Sequence, residues 1–171
     1  MHKYIKAGLG WLALILLDQG IKLWALRNLR GKNPIVLIKG VLEFRYLENR
    51  GAAFGIFQNR QWFFILVTLI VLAGLFFLSG RIPRDRKYLP LKICLYLIAA
   101  GAVGNLIDRV FRSYVVDFIY FKLIDFPIFN VADIYVTVSA ILLVLLMLFF
   151  YKEEDLEQIF SFGKRKVKED E

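Results

Sequence analysis

The chain has 171 residues, 58% of them hydrophobic, and a formal net charge of +8. This composition excludes an ordinary soluble domain, because the apolar residues, among them 16 Phe, come in long unbroken runs typical of integral membrane proteins. The basic residues are spread over every segment between those runs. That spread favours an anionic lipid surface as their partner and predicts no nucleic-acid binding.

Histidine and cysteine are each present once, as His2 and Cys94. A single Cys cannot build a disulfide framework or a thiolate metal cluster within the chain. With its one histidine at the N-terminus, the sequence also excludes Ser-His-Asp and Cys-His catalysis and every metal site that depends on His ligands. The sequence therefore predicts no metal and no cofactor, and leaves carboxylates as the candidates for any hydrolytic chemistry.

Four apolar segments are each near the ~20 residues that a helix needs to cross about 30 Å of hydrocarbon. In chain order they are residues 8–26, 61–79, 88–106 and 132–151. The first carries Asp18 and Lys22 and lacks the small-residue exit of a cleavable signal peptide, so we expect it to be retained as a helix. An even number of spans places both termini on one side of the membrane.

The segment between the first two spans, at about residues 35–57, is too long for a simple turn. Residues 41–46 (VLEFRY) alternate apolar and polar side chains, and residues 49–51 (NRG) form a turn signal before 52–57. We therefore expect a small antiparallel β element on the outer surface of the membrane.

The loop at residues 80–87 contains Arg81, Arg84, Arg86 and Lys87. This density of positive charge beside helix ends predicts a cytoplasmic loop, and with it cytoplasmic termini. The mixed-charge tail at 152–171 indicates a solvated helix or disordered end without chemistry. The predicted fold is an all-α membrane protein, a four-transmembrane-helix bundle with a small extracytoplasmic antiparallel β element, in a single domain.

Unusual polar residues collect at the outer ends of the predicted spans. On the third span, Gly101, Gly104, Asn105 and Asp108 share one arc of roughly 100° at the helical period. The glycines alone would fit close helix packing. Packing does not account for the amide and the carboxylate that continue the same face, so this face is a candidate functional surface.

Other polar residues at the same membrane face have simple structural interpretations. Asp18 and Lys22 are four residues apart and can pair on their own helix, so an interfacial ion pair and a substrate role are both open. Asn130 and Asp133 would cap the start of the fourth span. Asp117, in the apolar stretch 115–118 (VVDF) of a short loop before that span, has no comparable structural reason to be there.

Asp117 and Asp133 are therefore candidates for an aspartic protease dyad. Two adjacent carboxylates do not both ionise easily, so one keeps a proton while the other acts as a base near neutral pH. Such a pair can activate water against a peptide carbonyl without a metal or cofactor. Asn, Arg and backbone amides nearby could polarise that carbonyl.

Five stretches in this order resemble the bacterial lipoprotein signal peptidases, also called signal peptidase II or prolipoprotein signal peptidases. They are LDQGIK at 17–22, NRGAAF at 49–54, GAVGNLIDR at 101–109, VVDF at 115–118 and FNVAD at 129–133. The resemblance implies a membrane aspartic endopeptidase with four transmembrane helices, cytoplasmic termini and an extracytoplasmic β-cradle. Its substrate would be a diacylglyceryl-modified prolipoprotein, cut just before the lipidated Cys.

The resemblance also implies roles for individual positions, with Asp117 and Asp133 as the catalytic residues. Positions that would shape the site or bind substrate are Asn49, Gly51, Phe54, Gly101, Gly104, Asn105, Asp108, Arg109, Asn130 and Ala132, together with Asp18 and Lys22. It further implies inhibition by globomycin, contact with membrane lipid and a place in the bacterial inner membrane with the site at the extracytoplasmic face. The whole proposed site fits in one chain, so we expect a monomer.

Two other classes of protein compete with the peptidase. A small ion or solute transporter could also use membrane-edge Asp, Lys and Arg. It would, however, need polar residues through the full membrane depth, and the inner halves of these spans are nearly all apolar. A structural membrane scaffold would make Asp117 dispensable.

Overall fold

The structure is a computed structural model that describes residues 2–51 and 59–160, with side chains from residue 8 onward. Its helices are α1 (His2–Asn28), α2 (Gln61–Arg81), α3 (Leu89–Arg112), α4 (Val131–Phe149) and α5 (Glu153–Phe160), and its strands are β1 (Ile35–Ile38), β2 (Leu42–Asn49) and β3 (Val115–Phe121). The segments long and apolar enough to span a membrane are Gly8–Asn28, Gln61–Arg81, Arg86–Arg112 and Val131–Phe149. The predicted fold class, four spanning helices with a small antiparallel sheet, is confirmed.

Helix α2 shows most directly that the bundle has the exposed apolar surface of a membrane protein. None of its residues is buried, and two of its aromatic side chains, Trp62 and Phe76, are 83% and 82% exposed. A helix that is apolar all round and exposed would be unfavourable in water. In a bilayer the same surface contacts hydrocarbon.

Helix α3 packs against α1, α2 and α4 and is therefore the centre of the bundle. It continues beyond the predicted span of 88–106 and ends at Arg112, where Ser113 adopts the left-handed conformation with φ of 61°. Asp108 and Arg109 consequently lie inside the helix, about one turn before its end. Their side-chain directions are fixed by the helix rather than by a loop.

The sheet contains a third strand that the sequence analysis did not predict. Its order is β1-β2-β3, with both pairs antiparallel, so the expectation that Asp117 lies in a loop is wrong. Residues 115–121 form a strand because Val116 and Phe118 bury themselves against Ala25 and Leu29 at the end of α1. The predicted β segment at 52–57 lies outside the described residues.

Helix α5 corrects the expectation of a solvated tail. Its Ile159 is 1% exposed and packs with Ile82, Tyr88 and Tyr151. Its Asp155 accepts hydrogen bonds from Lys87 Nζ at 2.5 Å and from the Tyr88 hydroxyl at 3.2 Å. Residues 153–160 are thus docked on the loop that joins α2 and α3, while 161–171 lie outside the described residues.

Candidate active site

Strand β3 directs Asp117 away from the apolar cluster at the end of α1 and toward Asn49 and Asn130. Successive side chains of a strand point to opposite faces, and Val116 and Phe118 occupy the core face. Asp117 shares the other face with Asn49 of β2, whose Nδ2 donates to Asp117 Oδ2 over 2.8 Å. The Asn49 amide is itself held, because its Oδ1 accepts a hydrogen bond from the Gly51 N–H at 3.0 Å.

Asp133 lies in the first turn of α4 and forms a capping box with Asn130. The Asp133 N–H donates to Asn130 Oδ1 at 3.1 Å, and the Asn130 N–H donates to Asp133 Oδ2 at 3.0 Å. The remaining Asn130 group, Nδ2, donates to Asp117 Oδ1 at 2.6 Å. Asn130 therefore caps the helix and connects both carboxyl groups at the same time.

One cavity of about 930 Å³ is lined by both carboxyl groups. The predicted site residues in its wall are Asn49, Gly51, Asn105, Arg109, Asp117 and Asp133. Apolar side chains of α2 and α4, including Phe64, Ile134 and Val138, line it as well. The cavity thus has a polar wall of acids and amides and an apolar wall on two of the helices that are long and apolar enough to span a membrane.

Seven predicted site residues do not line this cavity. They are Asp18, Lys22, Gly101, Gly104, Asp108, Asn130 and Ala132, all of which lie behind its wall or in the helix packing beneath it. Phe54 lies outside the described residues. The set of site residues predicted from the sequence therefore includes both residues of the cavity wall and residues that lie behind it.

A buried charge network lies behind the cavity. Lys22 is fully buried and contacts Asp18 at 2.9 Å and Asp108 at 3.0 Å, while Arg112 pairs with Asp108. The carboxylates also accept backbone N–H groups, Asp18 from Ala132 at 3.0 Å and Asp108 from Val116 at 3.1 Å. Two acids and two bases are formally neutral together, and the network ties α1, α3, α4 and β3 into one unit.

Asp117 and Asp133 have a different environment from these paired acids. Among the described residues, no Lys or Arg nitrogen forms an ion pair within 4.0 Å of either group. Their hydrogen-bond donors are amides: Asn49 and Asn130 for Asp117, and Asn105 and the Asn130 backbone for Asp133. Burial, and next the neighbouring Asp133, raise the pKa of Asp117 from 3.8 to about 7. This carboxyl group can therefore carry a proton near neutral pH.

Arg109 places a positive charge at the cavity without pairing closely with either acid. Its guanidinium carbon lies 5.0 Å from the centre of the Phe64 ring. Its Nε is buried and has no hydrogen-bond partner. A group in the cavity with an electron-rich oxygen could accept a hydrogen bond from this side chain.

Two residues of the buried network were missed by the sequence analysis. Arg112 is four residues after Asp108 on α3, a spacing that favours an ion pair and could have identified it. Gln19 donates to the carbonyl of Gly104 at 3.0 Å and to Asp18 at 3.2 Å, and accepts from Arg112 at 3.3 Å. A lone Gln on an apolar helix carries no comparable sequence signal.

Two glycines let the helices approach closely enough to form the site. A Cβ on Gly101 would lie 2.4 Å from the carbonyl oxygen of Ala132, and one on Gly104 would lie 2.6 Å from Asp18 Oδ2. Any side chain at these positions would push α3 away from α4 or α1. The small face predicted on the third span is therefore required by contact with both neighbouring helices.

Comparisons with known proteins agree over nearly the whole chain. The family described as Signal peptidase (SPase) II matches residues 11–149. A lipoprotein signal peptidase of Streptococcus thermophilus is 47% identical over 145 residues, 84% of this chain and 91% of the relative. One of Clostridium tetani is 47% identical over 152 residues, 86% and 94% of the two chains. A solved bacterial membrane enzyme is similar with a TM-score of 0.74 and 30% identity, covering 95% of this chain and 94% of the other.

Proposed function

We propose, from the premise that this chain belongs to the signal peptidase II family, that it is an aspartic endopeptidase with Asp117 and Asp133 as its catalytic pair. The family consists of membrane proteases that remove signal peptides from prolipoproteins. The membership favours this hydrolase over the transporter considered above. The substrate that we propose is a diacylglyceryl-modified prolipoprotein, cut on the amino-terminal side of the lipidated Cys.

The observation that carries the proposal is the contrast between two kinds of acid at this end of the bundle. Asp18 and Asp108 are neutralised by Lys22 and Arg112. Asp117 and Asp133 line a cavity together, face amide donors and have no ion-pair partner among the described residues. Sharing one proton relieves the repulsion between them and leaves one acid and one base at the same cavity.

In the proposed reaction, the ionised carboxylate removes a proton from a water molecule, whose oxygen attacks the scissile peptide carbon. The protonated carboxyl group gives its proton to the carbonyl oxygen, so that a neutral tetrahedral intermediate forms. On collapse, the C–N bond breaks while one carboxyl group passes a proton to the leaving nitrogen and the other, now ionised, takes a proton from a hydroxyl group of the intermediate, which releases the carboxylic acid product. Arg109 would stabilise the oxygen while its negative charge develops.

The apolar wall of the cavity indicates how a lipid-modified substrate could reach the acids. Phe64 belongs to α2 and Val138 to α4, and both helices expose apolar side chains to lipid. A signal peptide and its diacylglyceryl group would therefore approach from the bilayer between these helices. We propose that one monomer suffices, that membrane lipid surrounds the bundle and that globomycin inhibits the cleavage.

Cleavage by purified variants tests this proposal. Asp117→Asn and Asp133→Asn should each lower the rate on a diacylglyceryl-modified precursor by about 10²- to 10⁴-fold, because each removes a proton donor or acceptor. Asp85→Asn, an exposed acid at the other end of the bundle, is the matched control and should cleave normally. Normal cleavage by either dyad variant would refute the aspartic mechanism. Equal cleavage of an unmodified precursor would refute the proposed substrate.

A further inference from the structure

We propose that Lys22 is a positioning residue for the acid pair, and that its ammonium group holds the Asn105 amide in the single orientation that turns its NH2 group toward Asp133. The inference rests on the proposed function, since it gives Lys22 a part in the same reaction. It goes beyond an ion pair on α1 and beyond direct contact with substrate. Lys22 does not line the cavity and acts through a second side chain.

The contacts form a chain that crosses three helices. Lys22 Nζ on α1 donates to Asn105 Oδ1 on α3 at 2.8 Å. Asn105 Nδ2 then donates to Asp133 Oδ1 on α4 at 2.7 Å. The Asn130 Nδ2 group adds a second donor to Asn105 Oδ1 at 3.2 Å. Both donors to Asn105 therefore converge on its oxygen.

An ammonium group has three donors and no acceptor, and this fixes the amide orientation. If the Asn105 amide were reversed, its NH2 group would face the Lys22 ammonium and the NH2 group of Asn130. Its oxygen would at the same time face the Asp133 carboxyl group. The contacts with Lys22 and Asn130 would then lose their hydrogen bonds, and buried donors would be left without acceptors, which costs more than the bonds themselves contribute.

The Lys22 side chain is itself held in place, so it can keep the Asn105 amide in one orientation. Its side chain is fully buried, and its three N–H groups match three acceptors: Asp18 at 2.9 Å, Asp108 at 3.0 Å and Asn105 at 2.8 Å. An ion pair alone would need only one or two of these donors. The third acceptor is the amide that contacts Asp133, and this connection gives the buried lysine a function in the site.

The consequence for the reaction is that both oxygens of Asp133 are fixed. Oδ1 accepts from Asn105 and Oδ2 accepts from the Asn130 backbone N–H. A carboxyl group bound at both oxygens cannot rotate, so it presents the same lone pairs to the cavity in every turnover. Precise orientation of this kind affects the chemical step more than substrate binding.

A mutant cycle that starts from Asp18→Asn tests the inference. Asp18→Asn keeps an oxygen that can accept the Ala132 N–H, and Asp18→Asn/Lys22→Met then removes the lysine without leaving an unpaired charge, because Arg112 still neutralises Asp108. With Asn105 present, adding Lys22→Met should lower kcat for a diacylglyceryl-modified precursor by about 10- to 100-fold and leave KM nearly unchanged. With Asn105→Ala already in place, the same change should lower kcat by less than about twofold.

An equal loss of kcat with and without Asn105 would overturn the inference, since Lys22 would then act independently of that amide.

The second comparison is Lys22→Gln with Lys22→Met. Both lose the charge, but only Gln keeps an N–H donor for Asn105 Oδ1, so it should retain the higher kcat. Equal rates would again overturn the inference. Failure of the proposed function would look different, because Asp117→Asn would then cleave normally. If only the lysine inference fails, Asp117→Asn still loses its cleavage activity.

Discussion

Asp18, Asp108, Asp117 and Asp133 have the same side chain and differ in the groups that it contacts. Asp18 and Asp108 form ion pairs with an ammonium or guanidinium group and tie neighbouring elements together. Asp117 and Asp133 contact amides, which hold the carboxyl group in place without supplying the charge that would stabilise its ionised form. Placement of cations therefore separates structural acids from acids available for proton transfer.

The raised pKa of Asp117 predicts how stability depends on pH. Since burial and Asp133 raise that pKa from 3.8 to about 7, the folded state binds a proton more tightly than the unfolded state. The resulting stabilisation is fully present below pH 3.8 and is lost as the pH rises through about 7. A shift of about three units corresponds to on the order of 4 kcal/mol. Asp117→Asn removes this dependence.

Thermal unfolding in detergent micelles from pH 4 to pH 8 measures the effect. The midpoint temperature of Asp117→Asn should rise relative to that of the wild type as the pH increases through this range. The difference between the two proteins reports the Asp117 carboxyl group and its interaction with Asp133, because the other titrating groups are common to both. Parallel pH curves would mean that Asp117 has an ordinary pKa in the folded protein.

Among the secondary-structure elements, α3 decides whether the parts of the site can meet. It carries Asn105, Asp108 and Arg109, and its glycines permit contact with the helix start that holds Asp133. The nearest obstacle to a Cβ at Gly101 is a backbone oxygen, which cannot move aside as a flexible side chain can. Helix packing and site geometry are therefore coupled through this one position.

Gly101→Ala tests this coupling. The added methyl group would lie 2.4 Å from the Ala132 carbonyl oxygen and 2.8 Å from Val136 Cγ2, so α3 and α4 must separate. We expect a loss of roughly 1–3 kcal/mol in stability and a fall in cleavage rate, measured by thermal unfolding and by precursor cleavage. Gly74→Ala on α2, where nothing lies within 4 Å of the new methyl group, is the control and should leave both nearly unchanged. Equal behaviour of the two variants would contradict the proposed coupling.

The whole molecule has two differently built ends. At one end, the sheet, the buried charge network and the cavity lie where α1 and α3 finish and α2 and α4 begin. At the other end, α5 docks on the basic loop through Ile159 and through the Lys87–Asp155 contact. We propose that the cavity end faces the outside of the cell and that the α5 end faces the cytoplasm.

Cysteine labelling in intact cells tests this orientation. Cys94 is buried, so a Cys94→Ala protein provides a background for single reporters at exposed positions. A membrane-impermeant maleimide should label Lys39→Cys, between β1 and β2, from outside. It should label Arg84→Cys, on the basic loop, only after the membrane is permeabilised. The reverse pattern would place the cavity in the cytoplasm.

Much of this architecture follows from local sequence patterns. Apolar length alone predicts the four spans, and the 3.6-residue period places Gly101, Gly104, Asn105 and Asp108 on one helix face. Strand β3 was not predicted, because its pairing with β2 joins residues about 70 positions apart. The local periodicity of a sequence does not show such long-range pairing. The docking of α5 was missed for the same reason, since Ile159 is buried by residues of a distant loop.

The sequence by itself determined that four segments are long and apolar enough to cross a membrane and which side chains are available for chemistry, because both depend on residue type and short-range spacing. Only the tertiary structure decided which acid meets a cation and which meets an amide. It placed Lys22 beside Asn105, and Asn130 between Asp117 and Asp133. The reason is that the proton affinity and orientation of a carboxyl group depend on neighbours within a few ångströms. Here those neighbours come from four separate elements of the chain.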